Sequence, residues 1–341
     1  AGRRGGHGRE PGRDAQPGIA VPLSPLLMRP AWRHGAQTPW GGSRLKAVFG
    51  KDIPDAATGE SLEVSCVPGL ESRDTGGRPL HELVGLYGQA LTGTAIKGDF
   101  PLLLKLLDAR EPLSVQVHPG DDYARAHYGK RGKNEAWVVL EAEAGASLVC
   151  GFRDGVSREE VVRAAEGSRA VEPLLRRVAV RPGDALYIPE GTVHAIGGGL
   201  LLYEIQQSSD LTFRLYDWER TGRDGKPREL HLRESLDVLR VDSRPVAANP
   251  VPLHADAEGR RERLLDTPYF TLERLSACDG LQISPDRARF SILTAIDGGA
   301  LAWDDGALAL PKGGTALLPA DGYPLRFSGP SALLCRPGPK A

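Results

Sequence analysis

Apolar residues in this chain come in short runs, and almost every run is cut by glycine, proline or aspartate before a helix is established. In "LSVQVHPGDD", Leu113, Val115 and Val117 alternate with Ser114, Gln116 and His118. Alternation with period two marks a strand with one apolar and one polar face. Many such runs with turn residues between them predict a mostly β chain, a sandwich or barrel with a few added helices. Helical signals are confined to three places. They are "RPLHELVGLYGQAL" (Arg78–Leu91), "SREEVVRAAEGS", where Ser157 and Glu160 make a capping-box pattern, and "HLRESLDVLR" (His231–Arg240).

The 341 residues suffice for two domains. Residues 1–25 carry Arg and Gly but no apolar segment of a secretory signal, and read as a disordered tail. After Leu239, "RVDSRPVAANPVPLHADAEGRRERLLD" is polar and proline-containing. We therefore expect a first domain over residues 26–240, a linker and edge segment over 241–267, and a second domain over 268–341. An internal echo supports two related units. "GDALYIPEGTVH" (Gly183–His194) aligns with "GGTALLPADGYP" (Gly313–Pro324), setting Gly183 on Gly313, Ile188 on Leu318 and Pro189 on Pro319. His194 then falls on Pro324, so the chemistry belongs to the first unit and the second is expected to lack metal ligands.

Bulk properties exclude several classes. With a net charge of −1 no overall field favours nucleic acid or an anionic membrane. No apolar run approaches the ~20 residues of a membrane helix. Cys66, Cys150, Cys278 and Cys335 are far apart and form no CxxC pair, which argues against a zinc ribbon or a disulfide framework. Reduced cysteines without an export signal favour the cytoplasm.

Four stretches carry unusual polar groups. Ser114, Gln116 and His118 share one strand face. Lys133 and Glu135 precede the apolar run in "KNEAWVVLEA"; "VRPGDALYIPEGTVHAIGGG" delivers His194 after a turn; and "LLYEIQQSSDLTFRLYDW" holds Glu204 and Arg214. Two imidazoles, a carboxylate and an amide oxygen suit a borderline divalent cation such as zinc, although manganese, iron and cobalt take the same donors. The spacing from Gly183 through Pro189 and Gly191 to His194 matches the second motif of the cupin barrels, with Gly198 where an asparagine is usual. The first cupin motif is partial. Gln116-Val117-His118 stands where His-x-His would be, and Glu135 follows only after "PGDDYARAHYGKRGKN", which reads as an inserted loop over the barrel mouth.

The stretches "FPLLLKLLDAREPLSVQVHPGDDYA", "GKNEAWVVL", "PGDALYIPEGTVHAIGGGLLLYEIQQSSDLTFRLYDW" and "GKPRELHL" resemble the type I mannose-6-phosphate isomerase family. "TPWGG" and "GESLEVS" resemble that family's amino-terminal signatures. The resemblance covers Leu27 to Leu239 strongly and the rest in outline, and the chain resembles the compact bacterial form. It implies two cupin-like jelly-roll barrels and one zinc ion per chain, with other divalent metals open. Its implied ligands are Gln116, His118, Glu135 and His194. It implies a catalytic arginine at Arg214, and it places Lys105 and Ser114 along the substrate site and Lys133 two residues before the glutamate ligand. Leu62, where a tryptophan is frequent, and Glu219, where a glycine is usual, depart from the pattern.

The implied reaction interconverts mannose 6-phosphate and fructose 6-phosphate through an enediolate. It requires a Lewis acid, a fixed positive charge such as Arg214, and a base. Lys133, Glu204 and water on the metal are the candidates for the base. The phosphate requires local positive charge and donors, which Lys105 and Ser114 are placed to supply. The expected partner is a small sugar phosphate, with no nucleic acid or membrane, for a monomer or weak homo-oligomer. Two rival readings keep the metal: a dioxygenase on the same barrel, and a sugar-phosphate-binding cupin without turnover.

Overall fold

The computed structural model describes residues 21–165, 168–222 and 225–341. Of the tail expected over residues 1–25, residues 1–20 lie outside the described residues. The described chain is mostly β, arranged as three antiparallel sheets.

The five-stranded sheet runs in the order Phe213–Tyr216, Val115–Val117, His194–Ile196, Ser147–Phe152, Leu175–Ala179. The seven-stranded sheet runs Val246–Ala247, Ala185–Ile188, Glu135–Ala142, Leu200–Gln207, Leu102–Ala109, Thr58–Val64, Ala31–His34. Alternation decides which residues go where. Leu107, Trp137, Val139, Leu200 and Leu202 of the seven-stranded sheet meet Leu148, Cys150 and Ile196 of the five-stranded sheet in one apolar cluster. The alternate residues of both sheets pack outward. Val115, Val117, Val149 and Phe213 lie in a cluster with Val161 and, at its edge, Leu232 and Leu236 of two helices. Leu104, Leu106, Val138, Tyr203 and Ile205 meet Phe270, Phe290, Ile292, Leu317 and Leu333 of the third sheet. Both faces of inner strands such as Leu102–Ala109 and Leu200–Gln207 are therefore buried, which is why these read as near-continuous apolar runs.

The third sheet has nine strands. Its main path is Leu26–Leu27, Gly314–Leu318, Ser291–Ala295, Leu325–Pro337, Phe270–Ile283, Gly259–Asp266, Val251–Asp256, and the hairpin Gly299–Trp303 with Gly306–Leu310 joins Leu325–Pro337. The segment expected as linker and edge thus contains two paired strands, Val251–Asp256 and Gly259–Asp266. Val251–Asp256, at the end of the sheet, is exposed throughout.

The helices follow the sequence signals with local adjustments. Ser157 Oγ accepts from Glu160 N at 3.2 Å while Glu160 Oε2 accepts from Ser157 N at 2.8 Å, a reciprocal cap on Arg158–Ala165. The helix expected over Arg78–Leu91 is two, Leu80–Tyr87 and Gln89–Thr92, interrupted at Gly88, whose φ of 51° suits glycine. The stretch after His118, expected as a loop, contains a two-turn helix, Asp121–Tyr128. Its first turn carries Asp121 and Asp122, favourable to the helix dipole, and its Tyr123 and Tyr128 rings pack 6.1 and 5.8 Å from Phe213. All four cysteines are free thiols. No described helix is long and apolar enough to cross a membrane.

Candidate metal centre

Three strands of two sheets bring the ligand candidates together. His194 opens the strand His194–Ile196 and lies directly opposite Gln116, which lies directly opposite Arg214 on its other side. The row His194, Gln116, Arg214 therefore crosses one face of the five-stranded sheet. His118 follows the strand Val115–Val117. From the facing sheet comes Glu135, first residue of Glu135–Ala142. One ligand atom each of His118, Glu135 and His194 lie within 4.8 Å of one another, and all three side chains are buried.

Both imidazoles are aimed by backbone carbonyls. His118 Nδ1 lies 3.1 Å from Leu211 O, and His194 Nδ1 lies 2.8 Å from Thr192 O. A carbonyl only accepts, so each Nδ1 carries a proton, and each Nε2 is turned towards Glu135. The His118 Nε2 is 3.4 Å and the His194 Nε2 3.2 Å from the Glu135 carboxylate, and the latter atom makes no aligned hydrogen bond. Burial, reinforced by Lys133, holds the His118 pKa down to about 3, so the ring is neutral at neutral pH. Burial alone would protonate Glu135, but Lys133 and His118 hold its pKa well below the ordinary value. The neutral His118 ring, the His194 Nε2 and an ionised carboxylate converge almost out of contact with water. That donor set fits a divalent cation, and an orphaned buried Nε2 is what such a cation would satisfy.

Lys133 stands inside this group. Its ammonium donates to Glu135 Oε2 and lies 2.9 Å from His118 Nε2. Asn134, between the two, fixes the backbone. Its amide nitrogen and its N–H both donate to Gln207 Oε1 at 2.9 Å, and its Oδ1 accepts from Tyr187 Oη and Glu190 N. Glu204 and Lys105 lie on the same face of the seven-stranded sheet, directly opposite each other, with Trp137 opposite Glu204 on the far side. Glu204 Oε2 accepts from Trp137 Nε1 at 3.0 Å, and Glu204 Oε1 lies 3.1 Å from Lys105 Nζ without an aligned hydrogen bond. Burial disfavours a charged Lys105, but Glu204 and Glu60 outweigh it and raise its pKa above the ordinary value. Ser114 is buried just before its strand.

Arg214 belongs to a different electrostatic setting. Arg220 and Arg228 both bond the Asp217 carboxylate, at 3.0 Å and 2.6 Å, while Arg214 Nη1 donates to Glu229 O at 2.6 Å. Two guanidinium groups thus hold the Asp217 carboxylate, and Arg214 feels them together with Asp217 and Glu229. Burial, then Arg228, lowers the Arg214 pKa, and its Nε is buried with no hydrogen-bond partner. Guanidinium and carboxylate groups are interleaved here, whereas Lys105 faces the Glu60 and Glu204 carboxylates.

Sequence reasoning passed over Glu60 and Arg33. Glu60 sits in "GESLEVS" as a carboxylate in a fully buried strand, which was the available signal. Its partner Arg33 belongs to another strand and is found only by strand pairing. The turn at Glu219, placed in doubt by the missing glycine, adopts φ 54°, a left-handed conformation natural to glycine, beside Trp218 at φ 57°. Trp218 Nε1 donates to Leu113 O at 2.7 Å and its ring lies under Arg177, which pins the turn.

Residues 33–153 match the family model for the catalytic domain of phosphomannose isomerase type I. A mannose-6-phosphate isomerase of Streptococcus mutans is 37% identical over 286 residues, spanning 82% of this chain and 88% of that protein. The crystal structure of the mannose 6-phosphate isomerase of Bacillus subtilis superimposes with a TM-score of 0.84 at 31% identity, over 92% of this chain and 99% of that one. A mannose 6-phosphate isomerase structure bound with zinc and yttrium shares the fold, with a TM-score of 0.72 at 20% identity, over 93% of this chain and 100% of that one.

Proposed function

This chain belongs to the type I phosphomannose isomerase family, and from that membership we propose how its residues interconvert mannose 6-phosphate and fructose 6-phosphate. The observation that carries the reading is the buried His118–Glu135–His194 cluster, whose ligand atoms all lie within 4.8 Å of one another. We assign the space between them to a divalent metal, zinc in keeping with the zinc-bound relative, with the Gln116 amide as the fourth ligand. When bound, the metal supplies Lewis-acid polarisation of the sugar oxygens.

The chain's own groups do the rest. The aldose-to-ketose direction removes the proton from C2, leaves an enediolate with charge shared between O1 and O2, and returns a proton to C1. A hydroxyl proton passes meanwhile from O2 to O1. Glu204 is our base, because its Oε1 is buried and accepts no aligned hydrogen bond, while Trp137 fixes its other oxygen. Lys133, a buried side chain, is placed to donate at the sugar oxygens, and Ser114 and Lys105 line the substrate site as donors for the phosphate. Arg214, beside Arg220 and Arg228, meets negative charge on the substrate.

The finer architecture we propose is one cupin-like barrel formed by the five- and seven-stranded sheets and a second formed by the nine-stranded sheet. On this division the catalytic unit spans residues 26–240, with 241–267 as linker and edge and 268–341 as the second unit. The reaction requires no membrane or nucleic acid, and we place it in the cytoplasm.

A coupled assay for fructose 6-phosphate, run on untreated, chelated and zinc-restored protein, tests the reading. Turnover lost on chelation and restored by zinc is expected, and Arg214→Ala should lower kcat/KM by about 10²-fold. Folded protein that binds mannose 6-phosphate without turnover under any divalent metal overturns it.

A further inference from the structure

The strands Glu135–Ala142 and Leu200–Gln207 pair as far as Gln206 opposite Glu135. One residue further out, the rung is only half main chain. Gln207 N donates to Asn134 O at 3.1 Å, but Asn134 N donates to the Gln207 side chain, its Oε1, at 2.9 Å. The Gln207 carbonyl is used elsewhere, accepting from Ser209 N at 2.7 Å and from Gln206 Nε2 at 2.9 Å. An amide side chain therefore completes the ladder beside the glutamate of the metal centre. Its partners fix which way it points. Asn134 Oδ1 accepts from the backbone N–H of Glu190, so Asn134 Nδ2 is the atom that donates to Gln207 Oε1, and Gln207 Nε2 is left to donate to Asp121 Oδ1, at 3.1 Å.

This line of groups joins the three segments that carry the ligand candidates. Asp121 stands three residues after His118, Asn134 directly before Glu135, and Glu190 four residues before His194. Main-chain bonds run beside it: Lys133 N donates to Pro119 O at 3.0 Å, and Gly191 N donates to His118 O at 2.9 Å. Asp121 Oδ1 also accepts from Gly132 N at 2.8 Å, and a Cβ on Gly132 would fall 2.5 Å from Asp121 N, so the two segments lie directly against each other. Asn134 and Gln207 are both buried, and an unmet N–H there is costly. Asn134 sits between Lys133 and Glu135, whose side chains leave the opposite face of the strand. Any turn of Asn134 away from Gln207 therefore moves both of them.

We propose that Gln207 is a positioning residue for the metal centre. Its amide locks the segment of Glu135 to the segment of His118, and the lock slows release of the divalent metal. Asp121 acts one step further out, coupling the first turn of the helix Asp121–Tyr128 to the same lock. The proposal rests on the metal assignment above.

Release of zinc from the loaded protein into a chromophoric chelator tests it, with no substrate present. Gln207→Glu keeps the shape and the acceptor for both Asn134 N–H groups, but loses the donor to Asp121 and sets two carboxylates face to face. It should speed release about 10-fold, the lower end of what partners behind metal ligands are worth. Adding Asp121→Asn puts a donor back between the two side chains and should return release to within about threefold of wild type. Asp121→Ala, at a half-buried position, should speed release about threefold, and it carries the test where Gln207→Glu does not fold. Phe290→Ala separates positioning from general loosening. It weakens the apolar cluster between the seven- and nine-stranded sheets and should leave release within about twofold of wild type. Unchanged release in Gln207→Glu, no recovery in the double variant, or equal acceleration in Phe290→Ala would overturn the proposal. A folded wild-type protein that takes up no divalent metal would instead bring down the metal assignment itself, a distinguishable result.

Discussion

The strand Ala185–Ile188 and the strand Gly314–Leu318 occupy corresponding places in two different sheets. Each is preceded by a glycine in the left-handed region, Gly183 at φ 93° and Gly313 at φ 68°, and each is followed by a proline. Ile188 lies directly opposite Glu135, and its counterpart Leu318 lies directly opposite Ser291. Beyond the turn the first chain segment presents His194, while the second has Pro324 before the strand Leu325–Pro337. The first segment thus meets a buried His118–Glu135–His194 cluster, whereas the second lies beside an apolar cluster that includes Leu275, Leu293 and Leu334. The comparison teaches that the shared local pattern, a left-handed glycine, a paired strand and a proline, carries no chemistry of its own. Chemistry comes from a few side chains turned inward, each of which needs local devices to be tolerable there. In the first region those devices are the Leu211 and Thr192 carbonyls and the Lys133 ammonium.

The comparison breaks most visibly at its central pair. His194→Ala should reduce kcat by about 10³-fold or more, the scale of losing a Lewis acid worth several kcal/mol. Ser291→Ala should leave kcat within about twofold and cost only the hydrogen bond from Arg336 Nε, on the order of 1 kcal/mol in chemical denaturation. A large kcat loss from Ser291→Ala would show that the second region takes part in the reaction.

Next in size is the seam between the regions. Phe100 stacks on Phe290 with centroids 4.5 Å apart, in the cluster that joins the seven- and nine-stranded sheets. Phe290→Ala should cost about 3–5 kcal/mol in urea unfolding without changing kcat of the folded fraction. A single transition is expected, and two resolved transitions would mean that the regions are stable separately.

Acid should distinguish them too. Burial pushes the Glu60 pKa up, but Lys105, then Arg33 and Lys133, outweigh it and hold it below its ordinary 4.5. A carboxylate with a depressed folded pKa contributes stability that is fully present above its unfolded pKa and is lost as pH falls through the folded one. Wild-type thermal stability should therefore fall more steeply below pH 4.5 than that of Glu60→Gln. Parallel curves would remove Glu60 from the acid response.

The ligand cluster could be read from the chain because its spacing rules are local: His118 ends an alternating strand, Glu135 begins one, and His194 follows a Pro-Glu-Gly turn. The capping box at Ser157 is local in the same sense. Arg33, Glu60 and the helix Asp121–Tyr128 were less accessible. The first two become partners only through strand register, and the helix is two turns long and held by contacts with Phe213 rather than by a long amphipathic period. The strand Gly259–Asp266 hid behind "GRRERLLD", whose charges sit on strands paired within the sheet, Arg261 bonding Glu273 across it at 2.6 Å.

The smallest expected effect sharpens the same contrast between frame and side chain. Glu219 holds φ 54° although it has a Cβ. Glu219→Gly should raise stability by about 0.5–1 kcal/mol in denaturation, since a left-handed conformation costs glycine little. A decrease would mean that the ion pair with Arg169, at 4.0 Å, outweighs the backbone conformation.

The short strand Leu26–Leu27 pairs with Gly314–Leu318, almost the full length of the chain away. During synthesis those two residues emerge early, and their partner leaves the ribosome roughly tens of seconds later at ordinary elongation rates. The nine-stranded sheet cannot acquire its first edge until translation is nearly complete. For the interval before that, the apolar back of the metal-bearing sheet, Leu104, Leu106 and Tyr203 among others, faces no finished neighbour. A nascent chain of this kind is a natural client for a holding chaperone, even though the finished protein buries that surface completely.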